Sequence, residues 1–355
     1  MTPMTMLVAL LVVGVVFAYG GWRLHEPALP APALDDDDVR EFLDTHLGED
    51  DAVLSVVGLA QAGGFEDVRT ALAALDDNRR CDAVFALAPH LSDEWVRGLD
   101  VDDALHLSLQ AAYDFLHAEE LRNGVVDDDL DDATRQAWHA RIDRAYNAML
   151  EALCLDDEDP VVFATTLAVC ISGVPRDDTI DVFMRATELA PSRLQTYLDG
   201  LQSLSPKWAG NFDSLDLVVE RAEELLGETH PLTFVVAVAH HLERALCLGR
   251  AAALASSSTK AANKAASVRH KALFDPAALH ALADAYRAVN VDDEGAILAH
   301  NAAAMLFAEH DPHGVFDDAM QRVGDVPVAR VWNAMTTGSP ARRWQRARSH
   351  SQQGK

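Results

Sequence analysis

Two adjacent histidines are the first residues in the sequence that could bind a metal ion. His240 and His241 lie inside the apolar run from Leu232 to Leu248, which predicts a central, buried helix. Adjacent residues on a helix point about 100° apart, so the two imidazoles cannot converge on one ion. The HExxH pattern, which places two ligands on one helical face, does not occur in the chain. We therefore expect both histidines to occupy structural or partly exposed positions.

A second group of potential ligands is the segment Glu309–His313, with the sequence EHDPH. It combines two histidines with carboxylates that could act as a base. The segment stands at the predicted end of a helix, where Pro312 starts a new turn. We expect its side chains to point into water and to cap the next helix rather than to bind a metal ion.

Clustered aspartates at 127–129 and 131–132 resemble the start of a calcium site. An EF-hand loop requires glycine at its sixth place and glutamate at its twelfth. Counted from Asp127, those places hold Asp132 and Trp138, so the template fails. We expect solvated aspartates that cap a helix.

The short motifs of nucleotide and acyl chemistry do not occur either. The chain has no G-x-S-x-G, P-loop or glycine-rich dinucleotide motif. We therefore predict no catalytic, cofactor-binding or metal-binding residue, and we classify the protein as a non-enzyme. The alternative is a hydrolase or transferase whose site is assembled across helices, because such a site leaves no local motif. A pocket with converging carboxylate, histidine and arginine side chains would favour that alternative.

The elements that must position these residues are predicted to be helices. Apolar residues recur every three or four positions, and the breaks fall at Gly, Asp-Asp or Pro. No stretch alternates apolar and polar residues convincingly, as a half-buried strand would. The sequence therefore predicts an all-α fold. The clearest periodic segments are 53–62, 68–75, 104–116 and 137–153, and the pattern continues to 331.

Prolines at helix starts indicate a repeating helical unit. They are Pro160, Pro191, Pro231, Pro276 and Pro312. The first three are 31 and 40 residues apart and the last two 36 apart, values that bracket the 34-residue helix-turn-helix unit of tetratricopeptide repeats. The segment Phe183–Pro191 resembles the end of such a unit, and Leu279, Ala283 and Tyr286 resemble its first helix. We predict a tetratricopeptide-like, solenoid-like body.

The stretch Ser205–Asp213, SPKWAGNFD, interrupts the helical pattern. The preceding helix stops before the proline, and Asn211 or Asp213 is a suitable N-cap for the next helix. We predict that Gly210 supplies a backbone angle unavailable to most residues and that Trp208 turns inward between helices. The alternative is that Trp208 is an exposed anchor for a ligand or partner. The buried stripe of the next helix is predicted at Phe212, Leu215, Val219, Ala222 and Leu226.

This stretch also carries a resemblance to a protein family. Pro206–Gly210 is similar to the Pro-Arg/Lys-Trp-Gly-Gly-Ser motif of the bacterial domain-of-unknown-function family 4034, with Ala209 and Asn211 in place of the family's Gly and Ser. A second likeness is Gly324–Pro327 followed by Trp332. The resemblance covers about residues 133–332 and implies a helical, repeat-like fold. It implies no activity, because the family has no established function.

The charge of the chain excludes nucleic acid as a partner. With 29 basic and 56 acidic residues the formal net charge is −27, whereas phosphate binding requires a basic surface. The segment 326–355 is an exception, with six cations and no acid. It predicts a disordered tail or, alternatively, a contact with anionic lipid or with the acidic body.

The four cysteines show no CxxC pair and lie among apolar residues. We predict that they are small buried hydrophobic residues in a reducing compartment rather than disulfides. They are Cys81, Cys154, Cys170 and Cys247.

The N-terminus has the composition of a membrane anchor. No charged side chain occurs between Thr2 and Trp22, and a helix of about 20 apolar residues spans a bilayer. We predict a single-pass anchor with residues 4–22 in the bilayer and the body in the cytoplasm, because Arg23 is the nearest strong cation. The alternative is a cleaved signal peptide, although no Lys or Arg precedes the apolar run.

Seven segments are predicted along the chain. They are a transmembrane anchor (1–24), a Pro-rich spacer (25–34), an N-terminal helical region (35–130), a helical repeat core (131–250), a linker or exposed small-residue helix (251–271), C-terminal helical repeats (272–338) and a basic disordered tail (339–355). Stacked helix pairs leave a long surface for a partner. We predict a membrane-anchored helical scaffold that binds a protein or peptide, or a secreted binding module if the N-terminus is cleaved.

Overall fold

The protein is helical throughout the residues that the computed structural model describes. These are residues 51–62, 65–99, 102–122, 130–171, 174–208, 210–255, 261–293, 295–308, 310–311 and 314–324, with Val328, Val331 and Ala347. No strand occurs among them, which confirms the all-α prediction for this part of the chain. The predicted anchor (1–24), the spacer (25–34) and the tail (339–355) except for Ala347 lie outside the described residues.

Fifteen α-helices occur within these ranges. They are α1 (Asp51–Ala62), α2 (Phe65–Ala73), α3 (Asp77–Leu87), α4 (Asp93–Arg97), α5 (Ala104–Arg122), α6 (Asp132–Leu155), α7 (Pro160–Cys170), α8 (Arg176–Leu189), α9 (Leu194–Ser203), α10 (Phe212–Leu226), α11 (Pro231–Leu254), α12 (Ala261–Leu273), α13 (Pro276–Ala288), α14 (Ala296–Phe307) and α15 (Val315–Val323).

The described residues divide into two compact units. The first unit contains α1 to α9 together with Trp208 and Gly210, and the second contains Ser205–Lys207 and α10 to α15. The stretch SPKWAGN therefore contributes residues to both units. Each unit has its own buried helix.

In the first unit that helix is α7. Every one of its residues is buried, and it contacts α3, α5, α6, α8 and α9. A helix that is apolar on all sides is stable only in such a central position. Helices α5 and α6 pack along each other beside it.

In the second unit α11 is central, and it contacts α10, α12, α13 and α14. Among the described residues it is the one helix long and apolar enough to cross a membrane by length and composition, with a mean hydropathy of 1.3 over its most apolar window. Since 61% of that window is buried inside the protein, the core accounts for its composition. The prediction that this run forms a central, buried helix is confirmed.

Three of the proline helix starts have the predicted form. The side chains of Asp159, His230 and Asp275 each accept a hydrogen bond from a backbone N–H, and proline occupies the first turn that follows. Proline is suited to this position because its missing N–H would have no partner there. After Pro191 the helix begins only at Leu194. A regular helix-turn-helix repeat therefore stays a prediction.

The loop between α9 and α10 corrects the prediction for Gly210. This glycine is not among those with positive φ. A Cβ at Gly210 would instead collide with the carbonyl group of Leu204. Glycine is needed because two backbone segments approach each other closely, not because the loop requires a left-handed residue.

Helix α10 starts at the predicted cap, but its buried face is shifted. Asn211 and Ser214 form a capping box, in which each side chain bonds to the other's backbone N–H. Leu215 and Ala222 are buried as predicted, whereas Phe212 and Leu226 are only half-buried. The remaining buried positions are Ser214, Val218 and Arg221, which places the stripe next to the predicted Val219.

The segment predicted as a linker or exposed small-residue helix is partly helical. Helix α11 continues to Leu254, and α12 begins at Ala261 and packs along α11. At this contact a Cβ on Gly249 would lie 3.0 Å from the Ala265 carbonyl oxygen. Small residues therefore permit two helices to approach closely here.

All four cysteines are free thiols, as predicted, but one is not buried. Cys81, Cys170 and Cys247 are buried, whereas Cys154 is exposed near the C-terminal end of α6. The prediction of burial is wrong for Cys154, because the last turn of α6 turns that side chain to the surface.

Candidate functional site

His240 and His241 point to different partners, as their spacing predicts. His240 Nε2 lies 2.8 Å from Asp216 Oδ1. His241 Nε2 lies 3.0 Å from the carbonyl oxygen of Leu273. Burial lowers the pKa of His240, even though Asp216 opposes that shift. The two imidazoles thus join α11 to two different neighbouring segments.

The acidic segments cap helices where they are described. Asp131 accepts a hydrogen bond from the Thr134 backbone N–H at the start of α6. Asp311 accepts hydrogen bonds from the backbone N–H groups of Val315 and Phe316 at the start of α15. No group of three or more His, Cys, Asp or Glu side chains that could hold a metal ion occurs in the described part of the chain. Outside it lie 127–129, Glu309, Pro312 and His313.

A buried ionic cluster joins the loop residues Ser205 and Lys207 to α11. Lys207 Nζ lies 2.8 Å from Glu243 Oε1, and these side chains are only 4% and 3% exposed. Ser205 Oγ donates to the same oxygen at 2.7 Å and lies 3.1 Å from Cys247 Sγ. Ser, Lys and Cys side chains can all take part in nucleophilic catalysis. Here, however, the Glu243 carboxylate pairs with the Lys207 ammonium, and the Ser205 hydroxyl is buried and therefore inaccessible to a substrate. This cluster fixes the loop.

Trp208 is half-buried and packs against the core of the first unit. The guanidinium carbon of Arg122 lies 4.8 Å from the centre of the Trp208 ring and 5.9 Å from that of Trp138. Such stacking combines a cation–π attraction with apolar contact. The predicted inward orientation of Trp208 is therefore present, although the residue as a whole is only half-buried.

A further candidate site is a pocket of about 280 Å³ in the second unit, which we call the C-terminal pocket. It lies among α13, α14, α15 and the segments that connect them. Its lining residues are Tyr286, Arg287, Val289, Val291, His300, Gly314, Val315, Asp318 and Arg322.

Three helices position the polar side chains of this pocket. Tyr286 stands in the last turn of α13, and His300 stands in α14, a helix buried along most of its length. Asp318 and Arg322 are four residues apart in α15 and therefore occupy the same face of that helix. The C-terminal pocket thus collects a phenol, an imidazole, a carboxylate and a guanidinium.

Two short contacts define the geometry. Tyr286 Oη lies 3.0 Å from His300 Nδ1, and the two rings meet edge to face with their centres 5.8 Å apart. Arg322 Nε donates to Asp318 Oδ2 at 2.9 Å. Tyr286 and His300 are 5% and 7% exposed, so the polar pair is accessible only through the pocket.

The pKa shifts indicate the charge states of these groups. Burial, followed by the positive charge of Arg322, lowers the pKa of His300, so its imidazole is neutral at pH 7. Burial, followed by the negative charge of Asp318, raises the pKa of Tyr286, so its phenol stays protonated. At neutral pH the pocket contains a neutral hydrogen-bonded pair beside an ion pair.

No local pattern in the sequence indicates this site. In the sequence Tyr286 fits only a repeat position, and no motif distinguishes His300, Asp318 and Arg322 from other polar residues. The only usable signals were a His-Asn pair inside the apolar run of α14 and an Asp and Arg spaced to pair on one helix. Neither indicates a pocket unless the packing of three helices is known.

Comparison with known proteins returned no family model, no curated relative and no solved structure that matches this chain. The resemblance to family 4034 therefore rests on the quoted residues and stays a prediction.

Proposed function

We propose that this chain is a membrane-anchored helical binding protein and that the C-terminal pocket recognises its protein or peptide partner. The pocket is the observation that supports this proposal, because it is a concave site in which a phenol, an imidazole, a carboxylate and two guanidinium groups converge beside three valines. Its volume of about 280 Å³ fits one side chain or one terminal group of a larger partner.

The lining residues support binding over covalent catalysis. No Ser, Thr, Cys or Lys is among them. Tyr286 is a poor nucleophile, because its raised pKa keeps it protonated. Binding requires only the donors, acceptors and charges that the pocket already presents.

Capture of partners by the full-length protein from its native membranes tests this proposal. Arg322→Gln removes a charge from the pocket, and Arg185→Gln is the matched control. Each arginine pairs with an acid on its own helix and has a similar exposure, 41% for Arg322 and 39% for Arg185. We expect Arg322→Gln to reduce partner recovery at least tenfold and Arg185→Gln to leave it unchanged. Equal recovery by both variants would contradict the proposal.

We propose that residues 4–22 anchor the body in the membrane, with the body in the cytoplasm. The support is their uncharged, apolar sequence followed by Arg23. Carbonate extraction and protease protection, with one tag at each terminus, test this topology. Loss of the N-terminal tag from the mature protein would favour the secreted alternative.

A hydrolase or transferase is the second candidate, and one observation favours it. His300, Asp318 and Arg322 converge in one pocket, and the neutral imidazole of His300 is suited to general-base catalysis. A screen of ester, phosphate and peptide substrates tests this candidate. A turnover that His300→Gln abolishes and His240→Gln retains would support it, and no turnover would count against it.

A further inference from the structure

The two ring nitrogens of His300 have different surroundings. Nδ1 lies 3.0 Å from Tyr286 Oη, whereas Nε2 has no hydrogen-bond partner among the described residues. His300 is 7% exposed and lines the C-terminal pocket, and Nε2 is not among the polar atoms that the surrounding residues cover completely. Nearly all buried polar groups in proteins have a hydrogen-bond partner. A ring nitrogen that lacks one and opens to a pocket therefore indicates a position for a ligand atom.

Asp318 determines which nitrogen of His300 carries the proton. Burial raises the pKa of Tyr286, and the Asp318 carboxylate raises it further through its charge and through a hydrogen bond with the hydroxyl. An ionised carboxylate only accepts hydrogen bonds, so the phenol proton points to Asp318 and the phenol oxygen accepts from His300 Nδ1. A neutral imidazole carries one proton, so Nε2 is left as a hydrogen-bond acceptor. This tautomer is assigned from the hydrogen-bond network.

The electrostatic surroundings of His300 select the kind of donor that it meets. Burial, followed by the positive charge of Arg322, lowers the pKa of His300, although the charge of Asp318 opposes the shift. A bound ammonium group would place a positive charge beside the same nitrogen, so the same two causes disfavour it. A carboxylate ion only accepts hydrogen bonds and therefore brings no proton to Nε2. An uncharged N–H or O–H donor is favoured instead.

Both arginines of the pocket are already paired with acids. Arg287 Nη1 donates to Asp284 Oδ1 at 2.8 Å, and Arg322 Nε donates to Asp318 Oδ2 at 2.9 Å. Each pair combines one positive and one negative charge, so neither leaves a net charge to attract an ionic ligand. The charge balance of the pocket therefore agrees with an uncharged ligand.

Three valines form the apolar part of the pocket. Val289 and Val315 are buried at 7% and 2% exposure, and Val291 stands at the rim with 47%. The volume of about 280 Å³ corresponds to roughly nine water-sized groups. A ligand of this size has room for one uncharged polar group and one short aliphatic group.

We infer that the C-terminal pocket binds an uncharged amide or hydroxyl group carried on a short aliphatic group, with His300 Nε2 accepting its hydrogen bond. This inference rests on the proposed function and specifies what the pocket recognises in a partner. Two sources share this chemistry, namely a glutamine, asparagine or threonine side chain of a peptide and a free small amide or alcohol.

Ligand-observed NMR titrations of the full-length protein in detergent micelles test the inference. The uncharged donors are isovaleramide and 3-methylbutanol. The matched probes are N,N-dimethylisovaleramide, which has no N–H group, the anion isovalerate and the cation 3-methylbutylammonium. We expect isovaleramide to bind at least tenfold more tightly than each matched probe. Tighter binding of N-acetylglutamine N-methylamide than of isovaleramide would assign the pocket to a peptide side chain, and the reverse order would assign it to a free small molecule.

Nitrogen NMR spectra of isotope-labelled histidine and two variants locate the binding. His300 Nε2 should carry no proton in the free wild-type protein, and its resonance should shift when isovaleramide binds. His300→Gln should weaken the binding of isovaleramide at least tenfold. His240→Gln, at a histidine whose Nε2 is bonded to Asp216, should leave that binding unchanged. Circular dichroism verifies that both variants are folded.

The outcomes separate this inference from the proposed function. A proton on His300 Nε2, equal binding of isovaleramide and its dimethyl analogue, or no binding of either uncharged donor would overturn the inference. If Arg322→Gln reduces partner capture while neither uncharged donor binds, the inference alone fails. If isovaleramide binds at His300 but partner capture ignores Arg322→Gln, the proposed function alone fails.

Discussion

Among the described residues each unit contains one buried glutamate, and the surroundings of the two carboxylates differ. Glu243 in the second unit has Lys207 Nζ at 2.8 Å and accepts a hydrogen bond from Ser205 at 2.7 Å. Glu119 in the first unit has Arg122 Nε at 3.5 Å, and neither of its oxygens forms a hydrogen bond. The two residues are 4% and 6% exposed. The two side chains are about equally buried, so their hydrogen bonds make the difference. Hydrogen bonds compensate for burial of the charge on Glu243, whereas ionisation of Glu119 costs free energy.

The pKa of Glu119 shows this cost. Burial raises that pKa from 4.5 to about 7, and the nearby Arg122 and Trp138 offset only part of the shift. The folded first unit therefore prefers a protonated Glu119. The protonated Glu119 side chain contributes fully to stability below pH 4.5, and this contribution is lost as the pH rises through about 7.

The largest expected effect is on the paired glutamate. Lys207→Met leaves Glu243 buried without its cation, and loss of one partner of a buried pair costs about 3 to 5 kcal/mol. Urea unfolding of the full-length protein measures this loss. Lys264→Met, at an exposed lysine of α12, should change stability by less than about 0.5 kcal/mol. The double variant Lys207→Met, Glu243→Met should recover most of the loss, and a double variant as unstable as the single one would argue against the pair.

The second largest effect is expected from removal of the Trp208 indole, which stacks on Arg122. Trp208→Ala should cost about 3 kcal/mol, at the lower end of the range for large-to-small aromatic changes because the ring is only half-buried. Thermal melting of the full-length protein measures the effect. A variant that keeps its melting temperature but loses its partner would instead make this loop the binding site.

Replacing Glu119 with a neutral side chain should stabilise the first unit at high pH. The Glu119→Gln side chain cannot ionise. At pH 8 the free energy of unfolding of the variant should therefore be about 3 kcal/mol larger than that of the wild type, whereas at pH 4.5 the two free energies should be equal. Unfolding followed between these pH values measures the difference. Glu151→Gln, at an exposed residue of α6, is the control and should show no such pH dependence. Equal stabilisation at both pH values would contradict the assignment.

The smallest effect is expected at Gly210, in the loop between α9 and α10. Gly210→Ala forces a methyl group against the Leu204 carbonyl and should destabilise the protein by about 1 to 3 kcal/mol. Gly58→Ala is the matched control, since a Cβ there meets nothing within 4 Å and helix α1 should gain up to about 1 kcal/mol. Comparable melting temperatures for Gly210→Ala and the wild type would show that the close approach is relieved easily.

Local chemistry in the sequence predicted the helices and their caps. Features that depend only on neighbouring residues could be predicted from the sequence. They are the helix start at Asp159-Pro160, the Asn211 cap and the apolar run of α11. The role of Gly210 could not be predicted from the sequence, because the Leu204 carbonyl group that excludes a side chain there approaches it only in the folded loop. Exposure of Cys154 likewise depends on how the end of α6 packs.

The C-terminal pocket lay beyond sequence reasoning for the same reason. Tyr286 and Arg322 are 36 positions apart, and each lies on a helix whose own pattern is ordinary. Only the packing of α13, α14 and α15 brings their side chains to one cavity. A site assembled from three helices has no spacing rule by which a single sequence could reveal it.

Site-specific photo-crosslinking in native membranes tests most directly whether the C-terminal pocket is the recognition site. A small diazirine-bearing amino acid is placed either at Val291, at the pocket rim, or at Leu150, on α6 of the first unit. These positions have similar exposure, 47% and 42%. We predict that the residue at position 291 yields a partner adduct and that position 150 yields none. Adducts from position 150 alone, or equal adducts from both positions, would contradict the account.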